Sequence, residues 1–204
     1  MRAARALLAL LALAAAGCFS AGFGRASDLV SDAWALYAEG RFDDALALFQ
    51  AAAGAAGGDV TARARARNGE GWCRLRLHAP VDALADFDAA VAGGADGADA
   101  LAGRAGARLA AGLDAGARAD ARAARALEPS YVSFHDPLDA RSLGGVALVA
   151  SIRAGDLAGA QEELDLLAPG NGLSPGDPSS WVVDGAPLPS YASAVLSLAA
   201  ANDR

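Results

Sequence analysis

Ala33-Trp34-Ala35-Leu36-Tyr37-Ala38-Glu39-Gly40-Arg41-Phe42-Asp43-Asp44-Ala45-Leu46-Ala47-Leu48-Phe49 is the stretch on which the reading of this chain turns. Moved 38 residues on, it meets Gly71-Trp72, Leu75, His78, Ala83 and Phe87 at matching offsets. A further 34 residues bring Ala105-Gly106, Leu109, Gly112, Ala117 and Ala121, and another 43 bring Leu148-Val149, Ile152, Gly155, Ala160 and Leu164. The shared skeleton is a helix, a glycine-type stop, and a second helix carrying Ala-x-x-x-large. Self-similarity at a period of about 20–50 residues signals stacked supersecondary units.

Composition points the same way. The 204 residues hold 57 alanines, and Ile152 is the only isoleucine. The best helix former is abundant and β-branched residues are scarce, so an all-α fold is expected. All 17 basic residues are arginine, which excludes a phosphate-loop lysine, a Schiff-base lysine and a kinase-type ATP lysine. A net charge of −7 argues against nucleic acid, whose backbone demands clustered positive charge. The spacing predicts helices over 28–39, 42–53, 60–77, 80–92, 98–111, 114–127, 139–154 and 156–167. Residues 54–58 and 93–97 read as glycine-rich turns. Gly40, Gly112 and Gly155 suit the left-handed position that ends a helix, and Pro80 suits the first helical position.

These residues resemble the tetratricopeptide (TPR) repeat, a helix–turn–helix unit. Ala33, Gly71, Ala105 and Leu148 match the small position of its helix A, and Gly40, Gly112 and Gly155 match its turn, where His78 stands in the second copy. Ala45, Ala83, Ala117 and Ala160 match the small position of helix B, Phe49, Phe87, Ala121 and Leu164 the large one, and Pro129 the closing proline. The resemblance implies an α-solenoid of about four hairpins over 28–169 (28–53, 60–92, 98–129 and 139–169). Residues 170–204 add a Pro/Gly-rich loop and a capping helix, Tyr191 to Ala201, started by Ser190. It also implies a concave groove for a protein or peptide partner, lined by Trp34, Tyr37, Asn68, Trp72, Leu75, Arg76, Leu109 and Ile152. The family's clamp for a C-terminal carboxylate uses lysine and asparagine. The matching positions here are Val30, Trp34, Asn68, Trp72, Ala102 and Gly106, so only Asn68 fits.

At the N-terminus, the basic Met1-to-Arg5 segment and the apolar run Ala6 to Ala16 read as a secretory signal, too short to span a bilayer. Ala15-Ala16-Gly17-Cys18 resembles the bacterial lipobox, although Ala15 stands where that motif prefers leucine. The expectation is a signal peptide over 1–17, lipidation at Cys18 and a tether over 18–27. The chain would then be anchored to the bacterial outer membrane, facing the periplasm. Cleavage after Ala16, giving a soluble secreted or periplasmic protein, is the alternative. Loss of Arg2 and Arg5 leaves 15 arginines against 24 acids, a net of −9, so membrane contact is expected from the lipid alone.

No enzyme, cofactor or metal site is expected. His135-Asp136 lacks companions at ligand spacing and reads as a loop histidine capped by its neighbour; a hydrolase using His135 is the outlying alternative. Asp43-Asp44 and Glu162-Glu163 read as acids in the first turns of helices, complementing the dipole. Arg63, Arg67 and Arg74 form one stripe and Arg65 and Arg76 another, either a solvated face balanced by acids or a contact for an acidic partner. Cys73 reads as a buried small hydrophobe. The insertion Glu128 to Leu138 carries Tyr131 and Phe134. If these folded into the groove, the protein would be a self-occluded structural lipoprotein rather than an open scaffold.

Overall fold

The computed structural model describes residues 24–94 and 97–202. The expected leader 1–17, Cys18 and the first part of the tether lie outside them. The chain divides into two compact units, Met1–Asp96 and Gly97–Arg204.

The first unit holds α1 (residues 24–38), α2 (Phe42–Ala55), α3 (Val60–Arg76) and α4 (Pro80–Ala92). The second holds α5 (Gly97–Ala110), α6 (Asp114–Leu127), α7 (Ala140–Arg153), α8 (Leu157–Leu167) and α9 (Tyr191–Asn202). Helix ends from α2 onward fall within two residues of the sequence expectation. Helix α1 begins earlier: residues 24–27, expected as tether, are already helical because Ala26 is buried. Each helix packs on the next within its unit, so the protein is all-helical in plan and made of sequential hairpin-like pairs.

One turn closes all four pairs. Gly40, His78, Gly112 and Gly155 have φ of 77°, 60°, 76° and 73°. At each, the residue after it donates its N–H to a carbonyl five residues back: Arg41 to Leu36 at 3.0 Å, Ala79 to Arg74 at 2.8 Å, Leu113 to Arg108 at 2.8 Å, Asp156 to Ser151 at 2.9 Å. This is the Schellman closure, and its left-handed residue favours glycine. His78 holds the same backbone without being one. Helices α2, α4 and α6 leave this turn with no side-chain cap, whereas Asp59, Asp139 and Asp156 cap α3, α7 and α8. Pro80 takes the first helical turn of α4, where its missing N–H has no bond to lose.

The recurring small and large residues make the core. Ala45, Ala83, Ala117 and Ala160 are fully buried, as are Phe49, Phe87, Ala121 and Leu164. In the first unit the two phenylalanines demand glycine opposite. A Cβ on Gly69 would sit 2.3 Å from the Phe49 ring, and one on Gly71 would sit 2.8 Å from the Phe87 ring. Both glycines lie on α3, which is therefore clasped between α2 and α4. In the second unit Leu148, Leu164, Leu173, Val183, Tyr191 and Val195 form one cluster that α9 covers, with Ser190 Oγ accepting from the Ser193 N–H at 3.1 Å.

One expectation needs correction, and the Pro/Gly-rich loop adds a detail: within the all-α fold, β1 (Val182–Val183) and β2 (Ala186–Pro187) pair antiparallel. Asp184 and Gly185 between them have φ of 51° and 78°, the two-residue turn whose twist suits a hairpin. Glu162 and Glu163 are not in a first turn, because α8 starts at Leu157. Asp43 and Asp44 are, at the start of α2.

Candidate functional site

The residues expected to line the groove divide by burial. In the first unit Tyr37, Asn68 and Trp72 are 4%, 1% and 5% exposed and belong to the core. Trp34 is half-buried and stands edge-on to Phe49 with ring centroids 4.9 Å apart; Trp72 repeats the arrangement on Phe87 at 5.7 Å. Each tryptophan thus braces the large residue of its own hairpin, since edge-to-face aromatic pairs are favourable at such distances. Leu75 is half-buried and Arg76 exposed, its guanidinium 5.1 Å from the Phe42 ring centre. Tyr37, Asn68 and Trp72 are interior side chains rather than surface-lining ones. In the second unit Leu109 is half-buried and Ile152 packs against the α7–α9 cluster.

The first unit also holds a cavity of about 140 Å³ between α1 and α3. Ala26, Ser27 and Val30 line it from α1, and Thr61, Ala62 and Arg65 from α3. Neither Val30 nor Arg65 was among the residues expected to line the groove; Val30 lies one turn before Trp34, and Arg65 belongs to the expected stripe of Arg65 and Arg76. Small-molecule sites run to about 300–1,000 Å³, which makes this cavity the size of a single side chain. A larger depression of about 390 Å³ in the second unit is lined by Arg122, Arg125, Glu162 and Glu163 with Ala126, Pro129 and Leu166. Its charges are already paired with each other.

That pairing belongs to a pattern not read from the sequence. Asp86, Asp120 and Glu163 each lie three residues after the small alanine of helix B and are 3%, 4% and 1% exposed. Arginines meet all three. Arg67 and Arg74 of α3 reach Asp86, and Arg74 and Arg67 also pair with the fully buried Glu70. Arg104 forks onto Asp120 with two bonds of 2.8 Å, and Arg108 adds a third at 2.6 Å. Arg122 and Arg125 of α6 hold Glu163 of α8, Arg125 at 2.7 Å. The first copy has Leu48 at this place. The stripe of Arg67 and Arg74 is therefore an inter-helix clamp, and the acids balancing it are interior. The visible signal was an acid at the same repeat offset in three copies. Burial pushes the Glu70 carboxyl above its ordinary range, against the pull of Arg67 and Arg74. Cys73, fully buried, has its thiol pushed up to about 12 by burial and the Glu70 charge, so it is an inert thiol.

His135 is more enclosed than a capped loop histidine. Its side chain is 3% exposed, and Nε2 lies 3.1 Å from both carboxylate oxygens of Asp99 on α5. Nδ1 lies 3.6 Å from Asp136. Tyr131 donates its hydroxyl to Asp99 at 2.6 Å, so this ring is engaged inside its own unit. Phe134 is 71% exposed. No group of three or more histidine, cysteine, aspartate or glutamate side chains placed to hold a metal occurs among the described residues. Among them, too, no helix is long and apolar enough to cross a membrane. No family model, curated protein or solved structure matches the chain.

Proposed function

We propose that the chain is a noncatalytic scaffold of TPR type in the bacterial cell envelope, binding a partner peptide or helix along its A helices. A lipid at Cys18 would hold it to the outer membrane, facing the periplasm. The observation that carries this reading is the fourfold return of one hairpin, with the same Schellman turn at residues 40, 78, 112 and 155. Repeats of this kind give extended faces built from equivalent helices. The side-chain-sized cavity between α1 and α3, both A helices in that scheme, supports a peptide rather than a metabolite. A partner would insert one small apolar side chain between Val30 and Ala62, with Arg65 at the rim to take a carboxylate. The histidine that could serve acid–base chemistry is closed in by Asp99 and Asp136, which favours a noncatalytic role.

Because the chain has no lysine, the test is carboxylate-directed crosslinking in the native cell followed by mass spectrometry. Asp28 and Asp32 are exposed reporters on α1, the helix that supplies half of the cavity's lining. Crosslinks from them to an envelope protein should disappear in the double variant Val30→Asp, Arg65→Glu. Crosslinks that persist in a folded variant would remove the groove from the account.

A further inference from the structure

Residues 128–139, between α6 and α7, form a strap over the start of α5. Its own bonds shape it: the Ser133 N–H donates to the Leu138 carbonyl at 2.8 Å, and the Ala140 N–H to the Tyr131 carbonyl at 2.9 Å. Ser133 Oγ accepts from the Asp136 N–H at 3.2 Å, and Val132 bridges Asp139. Tyr131 and His135 attach the strap to the helix through one carboxylate, Asp99, which is only 7% exposed.

We propose that this strap is a pH-dependent latch, closed by a doubly protonated His135 held between Asp99 and Asp136 and opened when that imidazolium loses its proton. The geometry favours the charge. Both ring nitrogens face carboxylates, Nε2 towards Asp99 of α5 and Nδ1 towards Asp136 of the strap. Only the imidazolium presents a donor on both sides; the neutral ring turns one lone pair onto a negative group. The third ionisable group in the cluster is Tyr131, and burial, with Asp99 alongside, pushes its phenol up, so it stays a neutral donor. Burial alone would lower the His135 value, and the pull of Asp136 and Asp99 together outweighs it, leaving it raised. A raised folded value gives stability that is complete below the unfolded pKa and is lost as pH rises through the folded one. The latch therefore opens on the alkaline side. Opening would bare Tyr131 and Asp99 beside Phe134, whose ring stands 4.6 Å from that of His135.

The chain has two histidines, so His78→Gly leaves one imidazole to follow by NMR. In that variant the His135 midpoint should exceed that of the same residue in the urea-unfolded chain. Cleavage by chymotrypsin within 131–138, corrected with a peptide substrate, should rise across the same pH interval. The rise should be about tenfold for each unit separating the two midpoints. Asp136→Asn should lower the folded midpoint, and His135→Gln should remove the transition. A folded midpoint at or below the unfolded one, cleavage unchanged across it, or a midpoint indifferent to Asp136→Asn would each overturn the latch.

Discussion

His78 performs a glycine's task with a side chain attached. Its φ of 60° matches its three glycine counterparts, and its imidazole is exposed. A non-glycine residue in the left-handed region costs about 1–2 kcal/mol, part of which glycine returns through its looser unfolded chain. His78→Gly should therefore raise stability by about 0.5–1 kcal/mol, seen as a higher urea midpoint at unchanged slope. Gly112→Ala should move the midpoint the other way by a similar amount. The glycines of α3 answer to a different constraint. Gly69→Ala would drive a methyl into the Phe49 ring and Gly71→Ala a methyl towards Phe87, and the closer approach at Gly69 should make it the costlier change. Overpacking of this sort costs about 1–3 kcal/mol. Phe49→Leu should recover part of the loss in a double-mutant cycle, and additive effects would show that ring and glycine do not touch.

Between elements, the arginine–carboxylate clamps join helices that alanine alone would hold weakly. Asp120 is 4% exposed and takes three charged bonds from Arg104 and Arg108. Asp120→Asn leaves two guanidiniums facing an amide, and removing one partner of a buried pair costs about 3–5 kcal/mol. Because Arg104 and Arg108 keep 16% and 26% of their surface in water, the lower end, about 3 kcal/mol, is expected in equilibrium unfolding. Replacement of Leu48, which holds the equivalent place in the first copy, by alanine should cost less, since no charge is stranded there. The hairpins themselves were legible because Ala-x-x-x-large and the glycine stop repeat at fixed offsets. The clamps were not, because surface and buried arginines look alike in a chain whose every base is arginine; only the offset of Asp86, Asp120 and Glu163 distinguishes them. Val182 to Pro187 was passed over because the surrounding prolines read as irregular chain, although Asp184-Gly185 carries its own hairpin signal.

For the molecule as a whole, the expected groove rested on spacing alone. Spacing placed Trp34, Tyr37, Asn68 and Trp72 on facing helices, but periodicity does not say how deep a side chain lies. Three of the four are core, and the open cavity of that unit is lined instead by residues such as Val30 and Arg65. The His135 cluster escaped because its partner Asp99 lies 36 residues away. Anchoring makes its own prediction: Cys18→Ser should shift the protein from the detergent to the aqueous phase on partition, whereas equal partition would favour cleavage after Ala16. Everything at this scale depends on α3 being clasped by its neighbours in sequence. Proton NMR tests that most directly. The Hα resonances of Gly69 and Gly71 should move strongly upfield under the Phe49 and Phe87 rings, each with cross-relaxation to its own ring protons. Ordinary helical glycine shifts with no ring contacts would contradict the packing of these hairpins.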